Sequence, residues 1–565
     1  MEKPIIYQVF TRLFGNRNTT RKYNGTLLDN GCGKFADFDE KTLSRIHDLG
    51  ITHIWYTGVI RHATDTDYTR FGIPKQNPRI VKGKAGSPYA IKDYYDIDPD
   101  LAKDPKKRFE EFNRLVQRTH KTGLKVIIDF VPNHVAREYH SDHAPKNTLQ
   151  LGESDNKTLN FSANNNFYYL NAPLQCQFDM HGGSSVAYEE QPAKVTGNDC
   201  FSPSPTRNDW YETVKLNYGI DYLNNHHKHF DPIPDTWFKM RDILLFWASY
   251  RIDGFRCDMA EMVPCEFWNW VIPIIKKEYP DIIFIAEVYN PQQYRNYIHN
   301  GHFDYLYDKV GLYDTLRAVT CGQKAASAIT SCWQNVDDIR THMLNFLENH
   351  DEQRIASDYF IADGMKAIPA LIVSSCISTQ PFMLYSGQEL GERGMDAEGF
   401  SGKDGRTSIF DYWSVKTLRE WNNNGKFDGA LLSCESQKLR KIYQNILTLL
   451  NQEKALSKGL FFDLMYVNYD NAYFCTTTTY AFIRSYQEEH ILIVVNFSER
   501  DIEQHINIPQ HAFDFLKIKE DNYNAIDLLS GTDVMLKITP NVPCAVHVPA
   551  YSGVMLKFNV SQIQG

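Results

Sequence analysis

The feature that most constrains this chain is a repeated alternation. Short runs rich in Ile, Val, Phe and Tyr stand between amphipathic, charge-rich stretches, and they recur eight times. That is the pattern of βα units around a parallel sheet. The candidate strands are 5–10, 51–56, 125–131, 252–257, 282–288, 305–308, 344–347 and 382–385. In one intervening stretch, 107–123, Phe109, Phe112, Leu115 and Val116 recur at helical spacing and Gly123 supplies a stop. Eight strands with helices between them predict an α/β fold, a closed (β/α)8 TIM barrel.

Two stretches break the alternation. After Phe130 the chain passes through Asn-, Ser-, Gly- and Pro-rich text, too long for a simple βα loop, so 135–218 is expected to be a small subdomain inserted after strand three. After a helical stretch at 437–456 the runs YFCTTTTYAFIRSY, HILIVVNF, AVHVP and GVMLKF are strands without helices, which predicts a C-terminal antiparallel β-sandwich over 459–565. The barrel is then 1–134 together with 219–458. The aromatics at the start of the last segment, Phe461, Phe462, Tyr466, Tyr469 and Tyr473, are expected to serve packing rather than binding.

Composition removes several classes. A chain with 42% hydrophobic, 23% charged and 13% aromatic residues is neither disordered nor collagen-like nor a coiled coil. Lys plus Arg number 60 against 69 Asp plus Glu, a net charge of -9 with no dense basic run, which argues against a nucleic-acid partner. The longest apolar stretches, such as 368–375, fall well short of the ~20 residues of a bilayer span, so no membrane span is expected. Eleven cysteines, an odd number without CxxC spacing, indicate neither a disulfide framework nor a zinc site. With no export signal at its start, the chain as written is expected to be cytoplasmic, or periplasmic or extracellular where a signal peptide has been removed. Nothing in the sequence speaks to oligomeric state.

In a barrel the C-terminal ends of the strands converge on one face, and there polar residues form a site. Four strand ends are heavily loaded: Asp129 with Asn133 and His134 after the third, Arg256 and Asp258 at the fourth, Glu287 at the fifth, and Asn349, His350 and Asp351 after the seventh. An isolated Asp at a strand end is ordinarily a helix N-cap, and an isolated His a hydrogen-bonded core residue. Three carboxylates at three strand ends, with a guanidinium two residues before one of them, instead suit glycoside hydrolysis. One can attack a sugar carbon, one protonate the leaving oxygen and one stabilise the cationic transition state.

These blocks, in this order and each on the expected strand, resemble the α-amylase family of retaining, α-glucan-active glycoside hydrolases, glycoside hydrolase family 13. The resemblance implies that Asp258 is the nucleophile, Glu287 the general acid and base, and Asp351 the transition-state stabiliser. Arg256 would hold Asp258 ionised, His134 and His350 would bind sugar hydroxyls, and Tyr89, in SPYAIKDYYDIDP, would stack on the sugar at the cleavage point. Asp129 and Asn133 would support the floor. The implied substrate is an α-glucan or maltooligosaccharide cleaved at α-1,4 bonds. A glucanotransferase or a neopullulanase- or cyclomaltodextrinase-like enzyme is the alternative.

Departures from the family are informative. Many members hold calcium with an Asn, an acidic residue of the inserted subdomain and the carbonyl of a His four residues after the nucleophile. Here Asn133 remains, but Lys215 stands at the acidic position and Met262 at the His position. An ammonium repels a cation, so no cofactor or metal is expected to be required and the usual calcium site is expected to be degraded. Glu261 replaces a Lys often placed on the leaving-group side. The block 214–217, Val-Lys-Leu-Asn, resembles the neopullulanase-like group.

Overall fold

The computed structural model describes residues 2–176 and 187–559. Its centre is a closed barrel of eight parallel strands: β1 (Ile5–Phe10), β2 (His53–Thr57), β3 (Lys125–Phe130), β4 (Gly254–Cys257), β5 (Ile283–Ala286), β6 (Tyr305–Tyr307), β7 (Met343–Phe346) and β8 (Phe382–Tyr385). They neighbour one another in sequence order and β1 closes on β8, in register at Gln8 and Tyr385. All eight expected strands are present, trimmed by up to three residues where the apolar run overshoots the ladder. Ile252, for instance, lies outside β4 because the next residue, Asp253, accepts the Val126 N–H and turns the chain into the strand.

Strand alternation divides the apolar residues into two populations. Ile6, Trp55, Ile127, Ile285, Leu344 and Met383 form a separate cluster inside the barrel, while their neighbours Ile5, Ile54, Val126 and Phe284 face the surrounding helices and join the main core. The inward positions one step further along, Gln8, Asp129 and Arg256, are polar and buried, so the barrel changes from an apolar plug to a polar floor towards the strands' C-terminal ends. The helix Arg108–Lys121 buries Phe112, Leu115 and Val116 and leaves Phe109 half-buried. It ends before Gly123, whose φ of +83° is the left-handed conformation that glycine adopts without strain.

Between β3 and β4 the chain makes a short ladder of His134–Ala136 with Thr213–Lys215, pairing His134 with Lys215. A second long excursion, 386–415 after β8, was not anticipated by the reading of βα units. It crosses to the loop after β2, where Ala85 N–H donates to the Phe410 carbonyl at 3.0 Å and Arg12 ties both loops through the carbonyls of Ala85 and Ile409. Gly83 is required at that crossing: its φ is +64°, and a Cβ there would lie 2.0 Å from the Phe410 oxygen.

The C-terminal part is antiparallel, as expected. β9 (Leu460–Asp463), β10 (Thr479–Tyr486), β11 (Glu489–Asn496), β13 (Asp521–Asp527), β14 (Asp533–Ile538) and β16 (Ser552–Asn559) form one sheet in the order β9-β10-β11-β16-β13-β14, and β12 (Ile502–Ile506) pairs with β15 (Cys544–Val548) in a second ribbon. The buried Arg484 of β10 joins it to the barrel by donating to the Ile377 carbonyl at 3.1 Å. The packing expectation for its aromatics holds for Phe461, which is buried, but Tyr466, Tyr469 and Tyr473 are 45%, 51% and 72% exposed. They sit between β9 and β10, where Tyr466 meets only the rings of Phe462 and His511 and Tyr473 that of His505 among the described residues. All eleven cysteines are unpaired thiols, and among the described residues no helix is long and apolar enough to cross a membrane.

Candidate active site

The polar floor is organised by one side chain. Arg256 enters the barrel from β4, is fully buried, and passes between the rings of Trp55, Tyr89 and Tyr307 at 5.2, 5.4 and 5.6 Å. Its Nη1 donates to Asp258 Oδ1 at 2.7 Å and lies 3.5 Å from Asp129 Oδ1. Its Nη2 lies 2.8 Å from Glu287 Oε2, a close ion pair short of hydrogen-bond alignment, and its Nε donates to the Tyr307 hydroxyl at 3.1 Å. The β3–β4 register sets Arg256 beside Asp129. Asp258 follows β4 and Glu287 follows β5 directly, so strand geometry alone delivers three carboxylates to one guanidinium.

The second oxygen bonds distinguish the carboxyls. Glu287 Oε2 accepts the Met259 N–H at 2.7 Å and Oε1 accepts the Tyr289 hydroxyl at 2.5 Å. Met259 supplies its N–H from a left-handed backbone, φ +43°, which a side chain of this size holds only where the surroundings enforce it. Asp129 accepts the Trp55 indole N–H at 2.9 Å. Asp351 comes from the loop after β7, its side chain 44% exposed to the cleft.

A cavity of about 390 Å³ opens above this floor, and Tyr89, His134, Asp258, Glu287 and Asp351 all line it. Of the residues expected at the site, Arg256 and His350 lie beneath them. His350 is sandwiched against the Tyr89 ring at 5.2 Å, its Nε2 lies 2.5 Å from the Tyr89 hydroxyl and 3.1 Å from Asp351 Oδ2, and Gln8 Nε2 donates to its Nδ1 at 2.8 Å. Burial, and then the Arg256 charge, push His350 well below its ordinary value, so it is neutral. Burial with Lys215 and Lys82 likewise pushes His134 down to about 3.

Asp129 and Asp258 share the Arg256 guanidinium and Asp351 stands close by, and like charges so near one another, out of water, raise the cost of ionising each of these three. Burial pushes Asp258 up while Arg256 pulls it back. Asp129 is pushed up to about 6 by burial against the pull of Arg256. Asp351, although its side chain is 44% exposed to the cleft, is pushed up to about 7, first by the protein packed around it and then by the Glu287 charge, against the pull of Arg256.

Asn133 and Lys215 meet as well. Lys215 is buried, its Nζ donating to Asn133 Oδ1 at 3.0 Å and lying 2.5 Å from Asp199 Oδ1. The Asn133 amide donates to the Gly197 carbonyl at 2.8 Å. Glu261 Oε2 accepts the Asn290 N–H at 3.0 Å. Among the described residues no group of three or more His, Cys, Asp or Glu is arranged to hold a metal.

Sequence reasoning missed several wall residues: Lys82, ion-paired with Glu212 at 3.0 Å, and Trp210, Tyr289 and Phe410. Of these, Tyr289 left a signal, standing two past Glu287 on the same side of an extended chain, as did Gln8 in the floor, the amide in the otherwise apolar and aromatic run Ile5–Phe10.

A β/α barrel with carboxyls from three strand ends around one arginine, opening on an aromatic-walled cleft, defines a glycoside-processing enzyme. Residues 8–416 match the family described as alpha amylase, catalytic domain, and the chain belongs to the alpha-amylase family of α-glucan-active enzymes. The alpha-amylase 2 of Dictyoglomus thermophilum is 21% identical over 88% of this chain and 70% of that one. The neopullulanase 2 of Thermoactinomyces vulgaris is 21% identical over 88% and 69%. The alpha-1,4-glucan:maltose-1-phosphate maltosyltransferase of Cereibacter sphaeroides is 25% identical over 46% of this chain, which spans only 33% of that relative. Among solved structures, the maltogenic alpha-amylase AmyB of Thermotoga neapolitana shares the fold over 99% of both chains with a TM-score of 0.63 at 19% identity.

Proposed function

We propose that this enzyme hydrolyses α-1,4-glucosidic bonds of starch-derived maltodextrins with retention, through a double displacement. Asp258 attacks C1, Glu287 protonates the departing oxygen and then activates water, and Asp351 offsets the positive charge of the transition state. Tyr89 and His134 hold the sugar at the cleavage point, His350 supports Tyr89 and Asp351 from beneath, and Arg256 aims Asp258. The observation that carries this reading is the attachment of Asp258 and Glu287 to the two terminal nitrogens of one guanidinium. A shared planar anchor favours the short carboxyl separation of retaining enzymes, about 5–5.5 Å, over the 6.5–9.5 Å that leaves room for an attacking water.

No metal takes part in this reading. The Lys215 ammonium already occupies the oxygens of Asn133 and Asp199, and a calcium ion there would face a fixed positive charge. The inserted subdomain expected over 135–218, of which 177–186 lie outside the described residues, lends Trp210, Glu212 and Thr213 to the cleft wall. Transfer to a sugar acceptor is the second reading, favoured by the aromatic wall of Trp210, Tyr289 and Phe410, a surface suited to sugar rings rather than water.

The test is incubation of the purified protein with maltoheptaose, amylose and pullulan, with and without a chelator, resolving products by size and anomeric form. Shorter α-anomeric products with chelator present are expected. Products longer than the substrate indicate transfer, β-anomers overturn the retaining assignment, and no turnover of any of the three removes the α-1,4-glucan reading.

A further inference from the structure

Glu287 has two carboxyl oxygens, and the structure commits them unequally. Oε2 receives the Met259 N–H at 2.7 Å and lies 2.8 Å from Arg256 Nη2. Both groups keep their hydrogens: the amide, which donates, cannot change role, and the guanidinium, an ion-pair partner, does not lose its proton at any working pH. A proton on Oε2 would point a hydrogen at two N–H groups. The proton that a general acid must carry therefore belongs on Oε1, whose partner is the half-buried Tyr289 hydroxyl at 2.5 Å. Unlike the other two, a hydroxyl can reverse from donor to acceptor by rotation.

We infer that Tyr289 is a positioning residue for the acid-base step: its hydroxyl holds Glu287 Oε1 at the cavity wall, and an arriving sugar oxygen takes its place. This rests on the assignment of Glu287 as the acid. In the ionised enzyme Tyr289 donates to Oε1. Once Glu287 is protonated the hydroxyl accepts from Oε1–H. When substrate enters, the glycosidic oxygen becomes the acceptor, the proton passes to it as its bond to C1 breaks, and the electron pair of an Asp258 oxygen forms the new bond to C1. The charged and titratable groups facing Glu287 are Arg256 and Asp258 from the fourth strand, Asp129 from the third, Tyr307 from the sixth and Asp351 after the seventh. None of them is removed by changing Tyr289.

The experiment is Tyr289→Phe, with kcat/KM measured across pH on maltotriose, whose leaving oxygen needs a proton, and on α-maltosyl fluoride, whose leaving fluoride does not. Losing a donor to the carboxylate favours its protonated form, so the alkaline limb on maltotriose moves up by about one pH unit. Maltotriose is expected to lose about tenfold more kcat/KM than the fluoride, chiefly in kcat. An unmoved limb, or equal losses on both substrates, overturns the inference. Glu287→Gln run in parallel separates the two levels: it must suppress maltotriose far more than the fluoride, and if it does not, the acid assignment itself fails whatever Tyr289→Phe does.

Discussion

The Gln8 side-chain amide donates to His350 Nδ1 at 2.8 Å, joining the first strand of the barrel to the loop after the seventh. An amide N–H can only donate, and His350 is neutral, so its single ring proton sits on Nε2, facing the Tyr89 hydroxyl and Asp351. The tautomer at the edge that meets Tyr89 and Asp351 is thus set by a residue outside the cleft. Replacing Gln8 by Met removes that donor and also a buried Oε1 that has no partner. Gln8→Met is expected to lower kcat/KM on maltotriose about tenfold while leaving the melting temperature within about 2 °C of wild type. Unchanged kinetics would show that the amide does not govern His350.

Asp258 is the carboxyl Arg256 holds in aligned hydrogen-bond geometry, at 2.7 Å. Asp258→Asn keeps the shape and a carbonyl oxygen for the guanidinium but cannot form the glycosyl intermediate. Turnover should fall by at least about a thousandfold with the fold intact by circular dichroism. More than a tenth of wild-type activity would exclude Asp258 as the nucleophile.

Because Asp351 is pushed up to about 7 and Asp129 to about 6, both lose their charge as pH falls through the weakly acidic range. A transition state of positive character needs Asp351 ionised. The acid limb of kcat/KM is therefore expected near pH 6–7, well above the ordinary carboxylate range of about 4. A limb below pH 5 would show that substrate-free Asp351 is already ionised there.

Lys215 provides a stability test of the metal-free reading. Exhaustive chelation should change neither the melting temperature nor the activity. Lys215→Asp replaces the ammonium between Asn133 and Asp199 by a third oxygen group, placing a buried carboxylate beside the partly exposed Asp199. That variant should melt several degrees lower and recover with millimolar calcium, whereas wild type should not respond. A wild-type melting temperature that drops on chelation would contradict the role given to Lys215.

The barrel was legible because its strands are continuous β-branched and aromatic runs, and the reacting carboxyls because each stands at the end of such a run, where fold geometry decides their direction. Asp129, Arg256, Asp258 and Glu287 needed no contact information beyond strand order. What was hidden comes from loops meeting loops. The contact of Ala85 with Phe410, the Lys82–Glu212 pair and the Lys215–Asp199 pair join segments with no shared periodicity. The exposure of Tyr466, Tyr469 and Tyr473 was hidden for the same reason: composition cannot tell how far neighbouring segments cover a turn.

The loop after β8 that carries Phe410 also buries Glu398, which is 2% exposed with Oε2 unpartnered. Burial first, with smaller contributions from Asp411 and Glu392, pushes this carboxyl from 4.5 up to about 8, although the Ser408 N–H opposes the shift. The folded state therefore binds the proton more tightly than the unfolded chain. The stability this provides is fully present below about pH 4.5 and is lost progressively as pH rises to about 8, where a charge is forced into a dry site. Glu398→Gln mimics the protonated acid at every pH. Its melting temperature should match wild type near pH 5 and exceed it by a few degrees at pH 9, with the difference growing between those limits. A difference that does not change with pH would mean that Glu398 ionises within reach of water, and that the loop holding Phe410 opens at that point.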